Sequence, residues 1–234
     1  LISLVFATVL LTSISSTYSQ STSLSGVSID LSAGTATDPG GFTDTISNID
    51  DIQGTNVADS LKGNDGDNII YGDGGSDTLT GGAGKDTFSF GNGKYWHPHI
   101  KSTSDGDTIT DFSTTDDQLK FDANILVTSG EKVAFVKANN YDGANKVIAD
   151  TKSNIESANV SSLTSGLEGA KGVLAYAVDT GEIIFSSDGN FTTGTGVIVT
   201  LTGAPTLNSS NFSFYNGPTQ VPVVGIETTH IVTV

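Results

Sequence analysis

The 234-residue chain carries 26 acidic against 10 basic residues, a formal net charge of −16, and has no cysteine. An acidic chain with no basic patch or stripe argues against nucleic-acid binding, and the lack of cysteine excludes a disulfide framework, a zinc finger and thiol catalysis. Gly, Ser, Thr, Asn and Asp abound while Ala-Leu-Glu-Lys windows are nearly missing, so the chain reads as all-β, long enough for one large or two small domains.

Residues 1–11 (LISLVFATVLL) form an apolar run too short to cross a bilayer as a helix. The run is similar to the apolar core of a signal peptide, with a cleavage point after Ser19, although a charged leader segment and an initiator Met are missing. The β-branched residues Ile2, Val5, Thr8 and Val9 suit a strand equally well. Residues 1–22 are therefore read as an apolar N-terminal segment, either a donor strand or a signal remnant.

Four nine-residue units follow in register, beginning at Gly54, Gly63, Gly72 and Gly81. Each places Asp or Asn sixth (Asp59, Asn68, Asp77, Asp86) and a large apolar residue eighth (Leu61, Ile70, Leu79, Phe88). A nine-residue period fits neither a 3.6-residue helix nor simple strand alternation. It fits a six-residue turn and a three-residue strand, two units making one coil of a flattened solenoid, with the eighth positions forming an inward apolar ladder. Carboxylates stacked at one point of every turn repel one another, and a hard dication with oxygen ligands removes that repulsion; Ca²⁺ suits mixed carboxylates and carbonyls.

These repeats resemble the RTX, or hemolysin-type calcium-binding, family, whose pattern is G-G-x-G-x-D-x-U-x. Upstream, Gly26–Thr37 and Asp44–Gly54 look like that family's lead-in; downstream, Asp107-Thr-Ile-Thr-Asp-Phe112 and Asp116-Asp-Gln-Leu-Lys-Phe121 resemble its closing segment. Segments near Gly172–Tyr176, Asp179–Gly181, Asp188–Phe191 and Leu201–Phe212 look like the β-region that follows such rolls in secreted bacterial proteins. The resemblance implies a calcium-binding parallel β-roll over 23–122, a β-rich C-terminal region over 123–216 and a strand-like tail over 217–234. It also implies a ligand set by position, each ion lying between a repeat and the next but one. One site would take Thr55, Val57 and Asp59 with Gly72, Gly74 and Asp77; a second would take Asn64, Gly66 and Asn68 with Gly81, Ala83 and Asp86. Gly82, Gly84 and Asp86 would pair with Asp107, while Asp73, Gly75 and Asp77 offer a further half-site.

Three departures bear on that set. Val57 stands where the first repeat should have its fourth-position Gly, Asn68 lowers its site by one charge and should weaken it, and Tyr95 falls where the next ninefold Asp is expected. The residues from Lys94 to Lys101 form an insertion there, whose His97 and His99 read as an exposed loop pair, with a transition-metal site as the less favoured alternative.

Beyond the roll, residues 132–136, 173–178, 182–185 and 196–201 read as strands, and 153–163 as a short helix. The tail from Val221 is again strand-like. Two terminal β-segments on a β-protein suggest self-association by strand donation, as against folding back on their own domain.

No H-E-x-x-H, G-x-S-x-G or Walker motif is present, so no enzyme activity is expected. The favoured reading is an extracellular, secreted or cell-surface structural protein, a filament, matrix or surface-layer subunit whose folding and assembly depend on Ca²⁺. The runner-up is the secretion and folding module of a larger type I-secreted enzyme or adhesin. Ice binding ranks behind both, because no long flat Thr/Asn array is legible along the chain.

Overall fold

Each nonapeptide spends its glycine-rich first six residues on a turn and its last three on a strand, so the chain reverses direction every nine residues and stacks on itself after two units. The structure, a computed structural model, describes residues 8–9, 25–90, 106–122, 145–157, 173–186, 190–192, 195–216 and 219–228. The insertion at 94–101, Tyr95, His97, His99 and the strand expected at 132–136 lie outside the described residues.

Two parallel faces result. The first runs β1 (Thr8–Val9), β5 (Asp51–Gln53), β7 (Ile69–Tyr71), β9 (Thr87–Phe90), β11 (Gln118–Asp122) and β16 (Phe212–Asn216). The second runs β2 (Ser28–Asp30), β6 (Ser60–Lys62), β8 (Thr78–Thr80), β10 (Asp107–Ile109) and β15 (Thr195–Leu201). Strands β3 (Thr35–Thr37) and β4 (Thr43–Thr45) extend the second face antiparallel from β2. The fold is thus a strand-dominated parallel β-roll.

Register puts the eighth-position residues in line. Ile29, Leu61, Leu79, Ile109 and Leu201 stack along one face, and Ile52, Ile70, Phe88, Leu119 and Phe212 along the other, all buried. Each fully buried aliphatic or aromatic side chain contributes about 1.5–3 kcal/mol, so the ladder is the roll's main source of apolar stability. Phe90 and Phe121 add a stacked pair at 5.2 Å between ring centroids.

The roll reaches past the four repeats in both directions. Residues 45–53 form an earlier turn and strand without the glycines: Asn48 takes the positive φ of 57° that the turn requires, a region Asn tolerates better than most residues. At the other end β15 and β16 continue the same two faces although they lie roughly a hundred residues later in the chain.

The remaining strands add to the second face. β14 (Glu182–Ser186) lies antiparallel on β15, β13 (Val173–Ala177) on β14, and β12 (Asn145–Asp150) parallel beside β13. The helix α1 (Lys152–Glu156) is capped by the Thr151 hydroxyl, which accepts from the N–H of Asn154. It is shorter than the helix expected over 153–163, of which residues 158–163 are outside the described set. The last strand, β17 (Thr219–Thr228), pairs antiparallel with β16 through its first half and parallel with β12 through its second. Pro222, which has no N–H to give, sits opposite Ser213 just before the strand changes partner. Both terminal strands therefore pair within their own chain here, β1 with β5 and β17 with β16 and β12.

Candidate metal centre

The sixth-position residues are where sequence becomes chemistry. A turn that ends in Asp just before a strand aims the carboxylate back into the coil, and the stacked register sets one above the next. Two columns form. In the first, Asp59 Oδ1 accepts from the N–H of Val27 at 2.7 Å, Asp77 Oδ1 from Asp59 at 2.8 Å, and Asp107 Oδ1 from Asp77 at 3.0 Å. In the second, Asp86 Oδ1 accepts from the N–H of Asn68 at 2.9 Å and Asp117 Oδ1 from Asp86 at 3.0 Å. Every carboxylate thus holds the backbone of the coil before it.

All five of these aspartates are buried, and among the described residues no Lys or Arg forms an ion pair with any of them. Burial raises the pKa of Asp59, Asp86, Asp107 and Asp117, that of Asp86 to about 6. Asp77 is raised by burial and then by the neighbouring Asp107 carboxylate. Losing water without gaining a counter-charge makes ionisation costly.

Among the described residues two buried oxygens are left without a partner, Asp77 Oδ2 and Asp86 Oδ2. In the first repeat the matching oxygen, Asp59 Oδ2, accepts from the N–H of Thr55 at 2.5 Å. In the third and fourth repeats the second residue takes positive φ (67° at Asp73, 102° at Gly82), a different turn from that at Thr55. Beside each orphan oxygen lies a glycine: a Cβ on Gly72 would stand 2.3 Å from Asp77 Oδ2, and one on Gly81 would stand 2.3 Å from Asp86 Oδ2. A carboxylate oxygen that is buried, without a hydrogen-bond partner and flanked by a glycine is what a hard cation fits.

The turns implied as ligand pairs do face each other. Thr55 and Gly74 meet through the N–H of Gly74 donating to the Thr55 carbonyl at 2.9 Å, and Gly75 lies against the backbone of Val57. A Cβ on Gly54 would lie 2.4 Å from Asp59 Oδ2 and 2.5 Å from the Gly72 carbonyl oxygen. In the other pair, a Cβ on Gly82 would lie 2.1 Å from the Asn64 carbonyl oxygen and one on Gly84 2.7 Å from that of Gly66. The turn carrying Gly81, Ala83 and Asp86 is joined to the turn carrying Asn64 and Asn68 through the Asn68–Asp86 bond. Among the described residues no three His, Cys, Asp or Glu side chains converge as a metal cage. A cation between these turns would draw on the carbonyls of Thr55, Val57, Gly72 and Gly74 with Asp59 and Asp77, and on those of Asn64, Gly66, Gly81 and Ala83 with Asp86. It would supply the positive charge that the columns lack.

Asp107 departs from the expected pairing. It was expected beside Gly82, Gly84 and Asp86, but it joins Asp77, since β10 stacks on β8 rather than next to β9. The place beside Asp86 belongs to Asp117, and Asp111 accepts from the N–H groups of Gly81 and Gly82 at 2.9 Å each. Asp107 thus stands next to Asp77 in the column, where the ninefold count had led to Tyr95. Asp111 and Asp117 lie in the two closing motifs, so the signal for them was present in the sequence.

Asn68 has a distinct task. Its Oδ1 accepts from the N–H of Asn64 at 2.8 Å while its amide donates to the Asp50 carbonyl at 2.8 Å. At the far end of the same column, the Asn211 amide donates to the carbonyls of Thr114 and Asp117 at 3.0 and 3.1 Å. An amide closes this column at each end.

A parallel roll whose turns stack buried, unpaired aspartates on carbonyl-lined glycine turns defines a cation-binding solenoid. Residues 48–93 match the family model of the RTX calcium-binding nonapeptide repeat, in four copies, and this stretch of the chain consists of such repeats. The repeats are calcium-binding motifs typical of secreted bacterial proteins. No curated protein matches the chain. No helix among the described residues is long and apolar enough to cross a membrane.

Proposed function

We propose that this chain is a non-enzymatic, extracellular structural protein that folds when it binds Ca²⁺ and then assembles with its own kind. The observation that carries the reading is the pair of orphan buried oxygens, Asp77 Oδ2 and Asp86 Oδ2, in columns with no counter-charge. Without a cation the closed turns hold several carboxylates out of water; with one, the same charges become ligands, so metal affinity is folding free energy. Affinity per site falls in the extracellular range, on the order of 10⁻⁴–10⁻³ M.

The assembly part rests on the ends. Among the described residues, β1 pairs with β5 through Thr8 and Val9. A parallel strand pairing of this kind can form equally between two copies, and a contact repeated head to tail builds an open filament or lattice. Electron microscopy of the purified protein in millimolar calcium and in chelator tests this. Polymers only in calcium are expected, and a strictly monomeric protein at high concentration in calcium would overturn the structural reading.

The alternative, a secretion and folding module of a larger secreted enzyme or adhesin, draws support from a different observation. β15 and β16 sit directly on β10 and β11, so the C-terminal strands use the calcium roll as their template. A monomeric protein whose C-terminal strands form only with calcium would favour that reading.

A further inference from the structure

The register creates a surface that no segment of the sequence displays. With Leu61, Leu79, Ile109 and Leu201 turned inward, the residues flanking them face out from the second sheet. Ser28, Ser60, Thr78, Thr108 and Thr200 then fall in one line across five parallel strands. The antiparallel pairings of Ser28 with Thr37 and of Thr37 with Thr43 carry the line two strands further. A second line, two residues along each strand, holds Thr45, Thr35, Asp30, Lys62 and Thr80 in register. Thr110 joins it, its hydroxyl 2.7 Å from that of Thr80.

Three properties limit what this face can bind. It is periodic in two dimensions, about 4.7–4.9 Å between strands and about 6.6–6.8 Å along them. Its backbone is fixed by the strand pairings, and two of its hydroxyl pairs bond across strands, Thr80 with Thr110 at 2.7 Å and Thr37 with Thr43 at 2.8 Å. It is neutral: on a chain of net charge −16, the charges among the described residues of the two lines are Asp30 and Lys62, which pair with each other at 3.2 Å. Glu182, which adjoins Thr200 from β14, is paired with Lys152. Strand propensity alone does not account for it. The equivalent line on the first face, under the same roll geometry, reads Asp51, Ile69, Thr87 and Gln118.

The matching ligand is uncharged, rigid and itself a two-dimensional lattice of hydrogen-bonding groups. A polysaccharide would call for aromatic platforms and amide or carboxylate clamps, and neither line contains an aromatic or an amide. Crystalline water needs only ordered hydroxyls, which both donate and accept, with methyl groups between them. We propose that the outer face of β2, β3, β4, β6, β8, β10 and β15 is an ice-binding surface. The face exists only in the folded roll and so rests on calcium-dependent folding.

Thermal hysteresis and ice-crystal shape, measured on the full chain in calcium, test it, with circular dichroism taken in parallel. The wild type is expected to show hysteresis and faceted crystals. The double variant Thr78→Lys, Thr108→Lys should lose both while keeping its calcium-dependent spectrum, and Thr87→Lys, Gln118→Lys on the opposite face should keep both. A folded wild type without hysteresis, or undiminished hysteresis in the Thr78→Lys, Thr108→Lys variant, overturns the assignment. Retention on crystalline cellulose without hysteresis overturns it in favour of a polysaccharide. A spectrum unchanged by chelator would sink calcium gating, yet hysteresis would still read the face.

Discussion

The backbone N–H of Asp59 donates to Oδ1 of Asp77, 2.8 Å away and eighteen residues later in the chain. This bond repeats up both columns and always in one sense, from the earlier coil's backbone to the later coil's carboxylate. No coil can complete its own turn until the next has supplied an anion, and each new anion is buried in the act. The roll is therefore cooperative along its axis and penalised by its own charge.

That penalty gives a pH dependence with a definite sign. Burial lifts Asp86 to about 6 and raises Asp77, Asp107 and Asp59 as well. A carboxylate with a raised folded-state pKa stabilises the fold fully below its unfolded value of about 3.9 and loses that contribution as pH rises through the folded value. In chelator, the β-signal by circular dichroism should grow as pH falls from about 8 to about 5. In millimolar calcium the signal should be flat over that window, since the cation replaces the protons. A full signal in chelator at pH 8 would sink the idea of a charge-limited roll.

Asp77→Asn should act in opposite directions with and without metal. The amide removes a buried charge while keeping an acceptor for the Asp59 N–H, so the chelated protein gains stability, by at least about 1 kcal/mol, the worth of one pKa unit. The calcium-loaded protein loses a ligand, and its titration moves to higher concentration. Urea midpoints in chelator and in calcium check both halves. A variant less stable in both conditions would show that the Asp77 charge is not the obstacle.

Gly82→Ala tests the close approach of the turns. Gly82 has φ of 102°, and an added Cβ would meet the Asn64 carbonyl oxygen at 2.1 Å. Strain of this kind costs on the order of 1–3 kcal/mol, before the displaced carbonyl is counted. Calcium titration by circular dichroism should require a higher concentration to reach the same signal. An unshifted titration curve would mean that the Asn64 carbonyl is not part of the cation's surroundings.

Leu79→Ala separates the ladder from the metal. Leu79 is fully buried between Leu61 and Ile109, and its truncation should cost about 2–5 kcal/mol even in saturating calcium. Thermal unfolding in calcium should show the loss with the number of bound ions unchanged. A loss that vanishes at high calcium would place the side chain's role at the metal instead of in the core.

The repeats were legible because local chemistry enforces them: the glycine turn, the sixth-position acid and the eighth-position apolar residue all lie within nine residues. Residues 45–53 were less so, since Asn48 does by tolerance what glycine does by default and no fixed letter marks it. The partner of Asp77 was out of reach because Asp107 lies thirty residues on, off the ninefold count, and period counting fails once the repeat is interrupted. The same holds for β15 and β16, whose place on the roll depends on pairing across roughly a hundred residues. The hydroxyl face was invisible for a related reason. Its members come from alternate repeats and from Thr200, so a reader moving along the chain meets Leu, Lys and Gly between them.

β17 takes the strain of the whole molecule if the chain is pulled from its C-terminal side. Because its first half is bonded to β16 on one face and its second half to β12 on the other, tension reaches both faces together and loads the strands along their length. Sheared hydrogen bonds must break as a group, whereas bonds peeled one at a time give way in turn. Under such tension the strand that crosses between the two faces would therefore let go as a unit rather than bond by bond.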